Sequence, residues 1–363
     1  MVRVSHTGST GAKFAARPGT RDGNDPLVSV IVVNWNGLDY LPGCLDSLAA
    51  QSYPALDVIV VDNGSTDGSV EYLRSRHVEP LQLLEQPGNL GFAGGNNVGI
   101  RASKGAYVAL LNNDAEADPE WVAALVAAAD GDPAVGMCAS RIYVWRRPDL
   151  LDGAGLIVSG DGIGRGRGRL EADGERYQRE ADVLLPSACA ALYRRAMLDE
   201  IGLFDEDFFA YCEDTDLGLR GRIAGWRCRY VPEAIARHRY SGSTDAHSPF
   251  KAFHVERNRI WVVMKCFPPR LAVASVVYTL ARYALQVYAA ASGRGAAGKL
   301  AAGRSPWALA AIIIRAWWAA IVRAPAMWRR RRAIRATRKI GVDELTRLLR
   351  IHRVGLRELA LRD

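Results

Sequence analysis

Unbroken apolar runs, each closed by a polar cluster, set the pattern of the first third of the chain. Residues 28–33 (VSVIVV) run into Asn34-Trp35-Asn36-Gly37, and residues 56–61 (LDVIVV) into Asp62-Asn63-Gly64-Ser65-Thr66-Asp67-Gly68. Residues 81–85 and 107–111 repeat the pattern, the latter ending in Asn112-Asn113-Asp114. Short β-branched runs without alternation predict strands buried on both faces, as in parallel sheets. Between them, residues 40–51, 69–76 and 96–104 read as helices. The alternation predicts an α/β fold with a mostly parallel, doubly wound sheet. Ligands of such sheets sit beyond the carboxyl ends of the strands, where these polar clusters fall.

From about Gly136 the pattern changes. Residues 135–144, 151–158, 183–193 and 226–231 read as strands, 160–168 (GDGIGRGRG) as a flexible loop, and 217–224 as a helix, with another starting near Arg195. The cluster Glu213-Asp214-Thr215-Asp216 precedes the helix at 217, and His238 follows the last strand. There are no internal repeats. Further on, two apolar stretches, 271–291 and 307–322, are interrupted by Arg282 and Arg315, and residues 329–339 hold seven basic residues and no acidic one. Each stretch approaches the length of a membrane span. An arginine at the bilayer centre is costly, so helices lying on or dipping into the membrane surface are expected, with basic residues facing anionic lipid. A soluble helical subdomain with a solvated basic face is the alternative.

Composition narrows the compartment. The chain has 363 residues, a net charge of +8 and six cysteines (Cys44, Cys138, Cys189, Cys212, Cys228, Cys266) without metal-type spacing. Reduced, mostly buried thiols and a reducing compartment follow. Residues 1–25 are polar, lack an apolar signal core, and read as a disordered leader. No helix-turn-helix, zinc-finger or RNA-binding signature accompanies the basic charge, so nucleic acid is not an expected partner.

Each polar cluster admits a chemical and a structural explanation. Asp62 suits a base N–H or a ribose hydroxyl, or it caps a turn. Asp114 could contribute to a hard cation site beside a diphosphate, or the triplet 112–114 forms an Asx turn. Gly91-Phe92-Ala93-Gly94-Gly95-Asn96-Asn97, ahead of a helix, allows close backbone approach and a phosphate at the helix N-terminus. Glu213, Asp214 and Asp216 offer a general base, or they cap a helix and favour its dipole. His238 suits a metal as a neutral imidazole, or it is structural.

Taken in order, SVIVVNWNG, VIVVDNGSTDGS, NLGFAGGNNVGI, LLNNDAE, FFAYCEDTDLGLR, HRYSGST (from His238) and ERNRIWVVMKCFP resemble family 2 glycosyltransferases of the GT-A fold, most of all the rhamnosyltransferase-like subgroup. The likeness runs from Val28 to Pro269. It implies a transferase domain over 26–269 and leaves 270–363 as a helical, apolar and basic extension. By this resemblance Val33 and Trp35 contact the donor base, Asp62 the base or ribose, and Asn113 the donor. Asn96, Arg257 and Asn258 fall near the diphosphate. Asp114 becomes the carboxylate for Mg²⁺ or Mn²⁺, with Asn112 and His238 completing the site; Asn112 stands where a strict DxD motif has its first aspartate. Asp214 becomes the catalytic base, with Glu213 second.

The resemblance implies an inverting transfer of a sugar, rhamnose first, from a nucleotide-diphosphate sugar to an acceptor hydroxyl. The apolar, basic C-terminal part adds a glycan or polyprenyl-diphosphate-linked acceptor, with residues 160–168 and 186–191 near it, and a peripheral place on the cytoplasmic face of the cell membrane. Two other classes are a sugar nucleotidyltransferase, which would carry a basic glycine-rich signature after the first strand, and a non-catalytic membrane-surface protein that binds sugar nucleotides.

Overall fold

The structure is a computed structural model that describes residues 25–76, 81–239, 248–291, 299–300 and 304–361. The expected leader, and most of the segment after His238, lie outside these residues. The first half alternates strand and helix as β1 (Val28–Asn34), α1 (Leu41–Ala49), β2 (Leu56–Asp62), α2 (Ser69–Ser75), β3 (Leu81–Glu85), α3 (Gly91–Ala102) and β4 (Tyr107–Leu111). Then come β5 (Ala115–Ala117), α4 (Trp121–Asp130), β6 (Val135–Val144), β7 (Arg147–Ala154), β8 (Leu156–Val158), β9 (Gly164–Gly166), β10 (Ala181–Asp182), β11 (Ala190–Arg194), α5 (Arg195–Ile201), α6 (Glu213–Ile223) and β12 (Arg227–His238). Long helices follow as α7 (Pro249–Cys266), α8 (Pro269–Ala291), Pro306–Val322 and Ala324–Ala336, and the short helices Val342–Ile351 and Leu356–Leu361 close the chain.

One mixed sheet carries the path β10-β12-β6-β11-β4-β1-β2-β3. The pairs β1–β2, β1–β4, β2–β3 and β6–β12 are parallel, and β11 runs antiparallel between β4 and β6. Both faces are covered, which is why the first strands are apolar throughout. Val30, Val32, Val58 and Val60 pack with Leu45 and Leu48 of α1 and Trp121 and Leu125 of α4. Ile31, Ile59 and Val61 pack on the other face with Ala93 and Ile100 of α3 and Met197 of α5.

Four elements depart from the sequence expectation. The glycine cluster at 91–97 is not a loop before a helix; it forms the first turns of α3. Its small residues let α3 lie close on β1, since a Cβ at Gly95 would meet Val33 and Asn63, and one at Gly99 would meet Ile31. The strand expected over 151–158 breaks at Gly155, whose φ of +88° turns the chain between β7 and β8. The run 183–193 holds strand only at 190–194, and β9 lies within the loop expected at 160–168.

A third core joins the late helices to the rest. Leu219 and Ile223 of α6 and Trp261, Val262 and Cys266 of α7 pack with Ala320, Met327, Ile334, Leu345 and Leu349. The helix α8 is long and apolar enough to cross a membrane, and the pair Pro306–Val322 and Ala324–Ala336, bent by 57°, passes the same test of length and composition. Arg282 does not face lipid. It is buried against Asp161 and Glu256, so an internal ion network accounts for it. Two members of the basic run are also turned inward, Arg330 to Asp205 and Arg331 to the carbonyls of Met264 and Phe267, while Lys339 pairs with Glu200 at the surface. Arg329, Arg332 and Arg335 remain exposed.

Candidate active site

The carboxyl ends of β1, β2 and β4 meet because the strands pair in register: Asn34 lies opposite Asp62, and Ile31 opposite Leu110. Side-chain amides stitch these ends together. Asn113 Nδ2 donates to Asn34 Oδ1 (2.8 Å), and Asn34 Nδ2 donates to Asp62 Oδ2 (2.9 Å). Asp62 also accepts from the Ser65 amide (2.8 Å) and hydroxyl (2.7 Å). Its carboxylate is buried and closes the β2 loop, as a turn-capping aspartate does.

Above these ends lies a cleft of about 300 Å³. Val33, Trp35, Asn112, Asn113, Asp114, Glu213, Asp214 and His238 all line it. These eight are brought together from parts of the chain up to 205 positions apart (Val33 to His238). Trp35 lines the cleft and is 37% exposed. Asp62, Asn96, Arg257 and Asn258 do not line the cleft. Asn96 is buried and donates to Phe92 O within its own helix (2.9 Å).

Arg257 and Asn258 instead hold the loop that enters α6. Asn258 Nδ2 lies 2.9, 2.9 and 2.7 Å from the carbonyls of Phe208, Ala210 and Tyr211, and Arg257 donates to those of Asp207 and Phe208. That loop needs holding, because Phe209, Tyr211 and Cys212 all have φ between +64° and +69°. Such conformations cost free energy outside glycine and persist when their surroundings fix them. The loop delivers Glu213 and Asp214 to the cleft in the first turn of α6. Asp216, one turn further, is a structural acid buried between Arg220 (2.9 Å) and Lys265 (2.7 Å).

The two carboxylates differ in environment. Burial and the adjacent Asp214 push the Glu213 carboxyl well above its usual range, and among the described residues its Oε2 has no hydrogen-bond partner. Burial also raises Asp214, but the amides of Thr215 (2.6 Å) and Ala188 (3.4 Å) donate to it and hold it back. Of the two, Glu213 is therefore the more strongly biased towards its protonated form, and Asp214, with its amide donors, the better placed to act as a general base.

Opposite them, β12 pairs with β5 so that His238 lies across from Ala115. His238 Nε2 comes within 3.3 Å of Asp114 Oδ1, while Nδ1 lies 2.7 Å from Asp152 Oδ2 on β7. Burial pulls the imidazole pKa down, but Cys189, Asp114 and Asp152 outweigh it and hold the value well above normal. The surroundings thus favour positive charge at the imidazole, which a divalent cation supplies as well as a proton does. The Asp152 contact at Nδ1 leaves Nε2 toward the cleft, and a carboxylate on the far nitrogen orients metal-ligating histidines in the same way. Asn112 adds a buried side-chain oxygen with no hydrogen-bond partner among the described residues. Carboxylate, imidazole and amide oxygen fit a divalent cation. Among the described residues no three acidic, histidine or cysteine side chains could enclose one, so phosphate and water would complete the shell.

Sequence reasoning missed Asn34, Asp152 and Lys251. Asn34 ends β1 and opens the run NWN, the one signal it had; Asp152 sits in an unremarkable strand, and Lys251 enters the cleft from α7 across a stretch of sequence without a motif. The segment 186–191 borders the cleft through Ser187, Ala188 and Cys189, whereas of the 160–168 loop no residue lines it.

The sequence profile described as "Glycosyl transferase family 2" matches residues 29–202. The N-acetylglucosaminyl-diphospho-decaprenol L-rhamnosyltransferase of Mycobacterium tuberculosis is 30% identical over 251 residues, which are 63% of this chain and 81% of that protein. A Sinorhizobium fredii protein is 28% identical over 235 residues, 60% of this chain, and there the match spans a quarter (25%) of the relative's length. Among solved structures, the mannosyltransferase PcManGT from Pyrobaculum calidifontis, in complex with GDP-Man and Mn²⁺, superposes with a TM-score of 0.53 at 20% identity, covering 89% of this chain and 90% of that one. That likeness concerns the fold, which is of GT-A type: a mixed, mostly parallel sheet with a helical C-terminal region. With the strand-end cleft and the match to a relative along most of its length, the chain belongs to glycosyl transferase family 2, a family of sugar-transferring enzymes.

Proposed function

We propose that the chain transfers a sugar, with inversion, from a nucleoside-diphosphate donor to a hydroxyl of a lipid-linked or cell-surface glycan. The observation that carries this reading is one cleft lined both by Asp114 and His238, 3.3 Å apart, and by Glu213 and Asp214 from the first turn of α6. Rhamnose carried on dTDP is the first choice of donor, with UDP-sugars next; the 30% identical rhamnosyltransferase supports it. The transferase domain spans 26–269 and the helical extension 270–363.

In this mechanism Val33 and Trp35 flank the donor base, and the Asn113–Asn34–Asp62 chain fixes the strand ends beneath it. Asp114 and His238, with Asn112, would hold Mg²⁺ or Mn²⁺. That cation, when bound, neutralises charge on the leaving diphosphate. Lys251 presents a second positive charge to the same group from α7. Asp214 takes the proton of the acceptor hydroxyl as its oxygen bonds to the anomeric carbon. The bond to the diphosphate breaks on the opposite face, the electron pair leaves with the nucleotide, and the configuration inverts.

The membrane side of the proposal rests on exposed apolar faces. Val273, Val276, Val277, Leu280 and Val287 recur on one face of α8 and are 53–75% exposed; Trp307, Ile314 and Trp318 of Pro306–Val322 are 66–85% exposed. Rings and aliphatic chains at helical spacing beside exposed arginines suit an anionic membrane surface. We place the enzyme peripherally on the cytoplasmic face.

A donor screen tests the transferase reading. Purified protein with Mn²⁺ or Mg²⁺ is mixed with dTDP-, UDP- and GDP-sugars, and both binding and nucleotide release are followed with and without EDTA. Binding of one donor that EDTA abolishes supports the proposal. Failure to bind any donor overturns it.

A further inference from the structure

We propose that a second cavity, walled by α7, α8 and the helix Pro306–Val322, holds the proximal isoprenoid units of a polyprenyl-diphosphate acceptor. This deepens the sugar-transfer reading of the cleft and rests on it.

The cavity has a volume of about 330 Å³, within the range of small-molecule sites. Its walls are apolar: Ile163, Val255, Val287, Leu309, Ile312 and Ile313. Its floor is polar but spent. Arg282 Nε lies 2.6 Å from Asp161 Oδ2, and its Nη2 lies 2.8 Å from Glu256 Oε2. Arg259 binds Glu256 as well and lies 3.7 Å from Asp161. Two guanidiniums and two carboxylates, each at most 6% exposed, cancel one another. A charged group at this floor would therefore lose its hydration and find no uncompensated charge among these four side chains. An uncharged hydrocarbon chain loses nothing polar and leaves water.

Two continuities name the chain and its source. Lys251 lines both this cavity and the catalytic cleft. A cation at that junction suits a diphosphate with its sugar in the cleft and its chain in the cavity. At the other end Val287 lines the cavity and is 71% exposed on the apolar face of α8. A chain entering there passes from a membrane surface without crossing water.

The test uses the full chain and three probes, without nucleotide: farnesyl diphosphate, farnesol and inorganic pyrophosphate, titrated calorimetrically. Farnesyl diphosphate is expected to bind at least tenfold more tightly than pyrophosphate. Ala252→Phe and Ala290→Phe, which fill the cavity from two different helices, are expected to erase that difference while Mn²⁺–UDP or Mn²⁺–dTDP binding stays within twofold. Equal affinity for farnesyl diphosphate and pyrophosphate in the unaltered protein overturns the proposal. So does undiminished farnesyl binding in both filled variants, because the chain is then held on the outer face. A failure of the transferase reading appears in the donor titrations alone, and a failure of this inference in the chain titrations alone.

Discussion

Asp152 Oδ2 lies 2.7 Å from Nδ1 of His238, and so fixes which imidazole nitrogen faces Asp114. Asp152→Asn reverses that preference, since an amide donor at Nδ1 leaves the proton on Nε2. We expect Mn²⁺ affinity of the protein–nucleotide complex to fall about 10–100-fold, read by the electron paramagnetic resonance of free Mn²⁺. Unchanged affinity would remove Asp152 from the site. Asp114→Ala should lower the same affinity at least as far and make donor binding insensitive to EDTA.

Asp214→Asn removes the base and keeps the shape of the cleft. Turnover should drop by about 10²–10⁴ while donor Kd stays within about twofold. Wild-type turnover in this variant would sink the assignment. Glu213→Gln, which imitates the protonated state, should cost far less.

Stability should depend on pH through Glu213. Its folded pKa is raised, so between its unfolded and folded values the folded chain binds a proton that the unfolded chain has lost. Stability from this group therefore falls as pH rises through that window. Glu213→Gln should raise Tm relative to wild type at pH 8, and the gain should vanish as pH approaches about 4.5, the unfolded value. A gain that grows on acidification would contradict the burial argument.

Asn258 serves three carbonyls of a strained loop. Asn258→Ala removes a side-chain donor from each of them and should cost about 1–3 kcal/mol, measured by urea unfolding. Because the loop carries Asp214, kcat should fall more than donor affinity does. An equal loss in both would argue for direct donor contact instead.

The exposed tryptophans test the membrane surface. Trp307→Ser with Trp318→Ser should reduce co-sedimentation with anionic phosphatidylglycerol vesicles several-fold and leave donor binding intact. Equal sedimentation of variant and wild type would dismiss this face as the contact.

Much of this was legible before any coordinates. The runs at 28–33, 56–61 and 107–111 announced buried parallel strands, and the polar residues after them marked the ligand edge. Asp114, Asp214 and His238 were visible because each lies at or beside the end of an element. Arg257 and Asn258 were assigned to the diphosphate by motif position, but they lie on a helix whose partner is the loop at 207–211. The helix period says which residues share a face and nothing about what that face meets. The glycines at 91–97 were misread because glycine marks a turn and a close helix–strand contact equally well.

By itself the sequence determined the strand order of burial, the positions of the polar clusters and the chemistry available at each. These are local quantities, set by side-chain type and period. Tertiary structure alone decided which clusters became a site. Strand register put His238 beside Asp114, a third strand supplied Asp152, and packing among α7, α8 and Pro306–Val322 turned Arg282 from an apparent membrane anchor into part of a buried ion network. Distance and dielectric are properties of the folded arrangement, and both the pairing of charges and the difference between the Glu213 and Asp214 carboxyls depend on them.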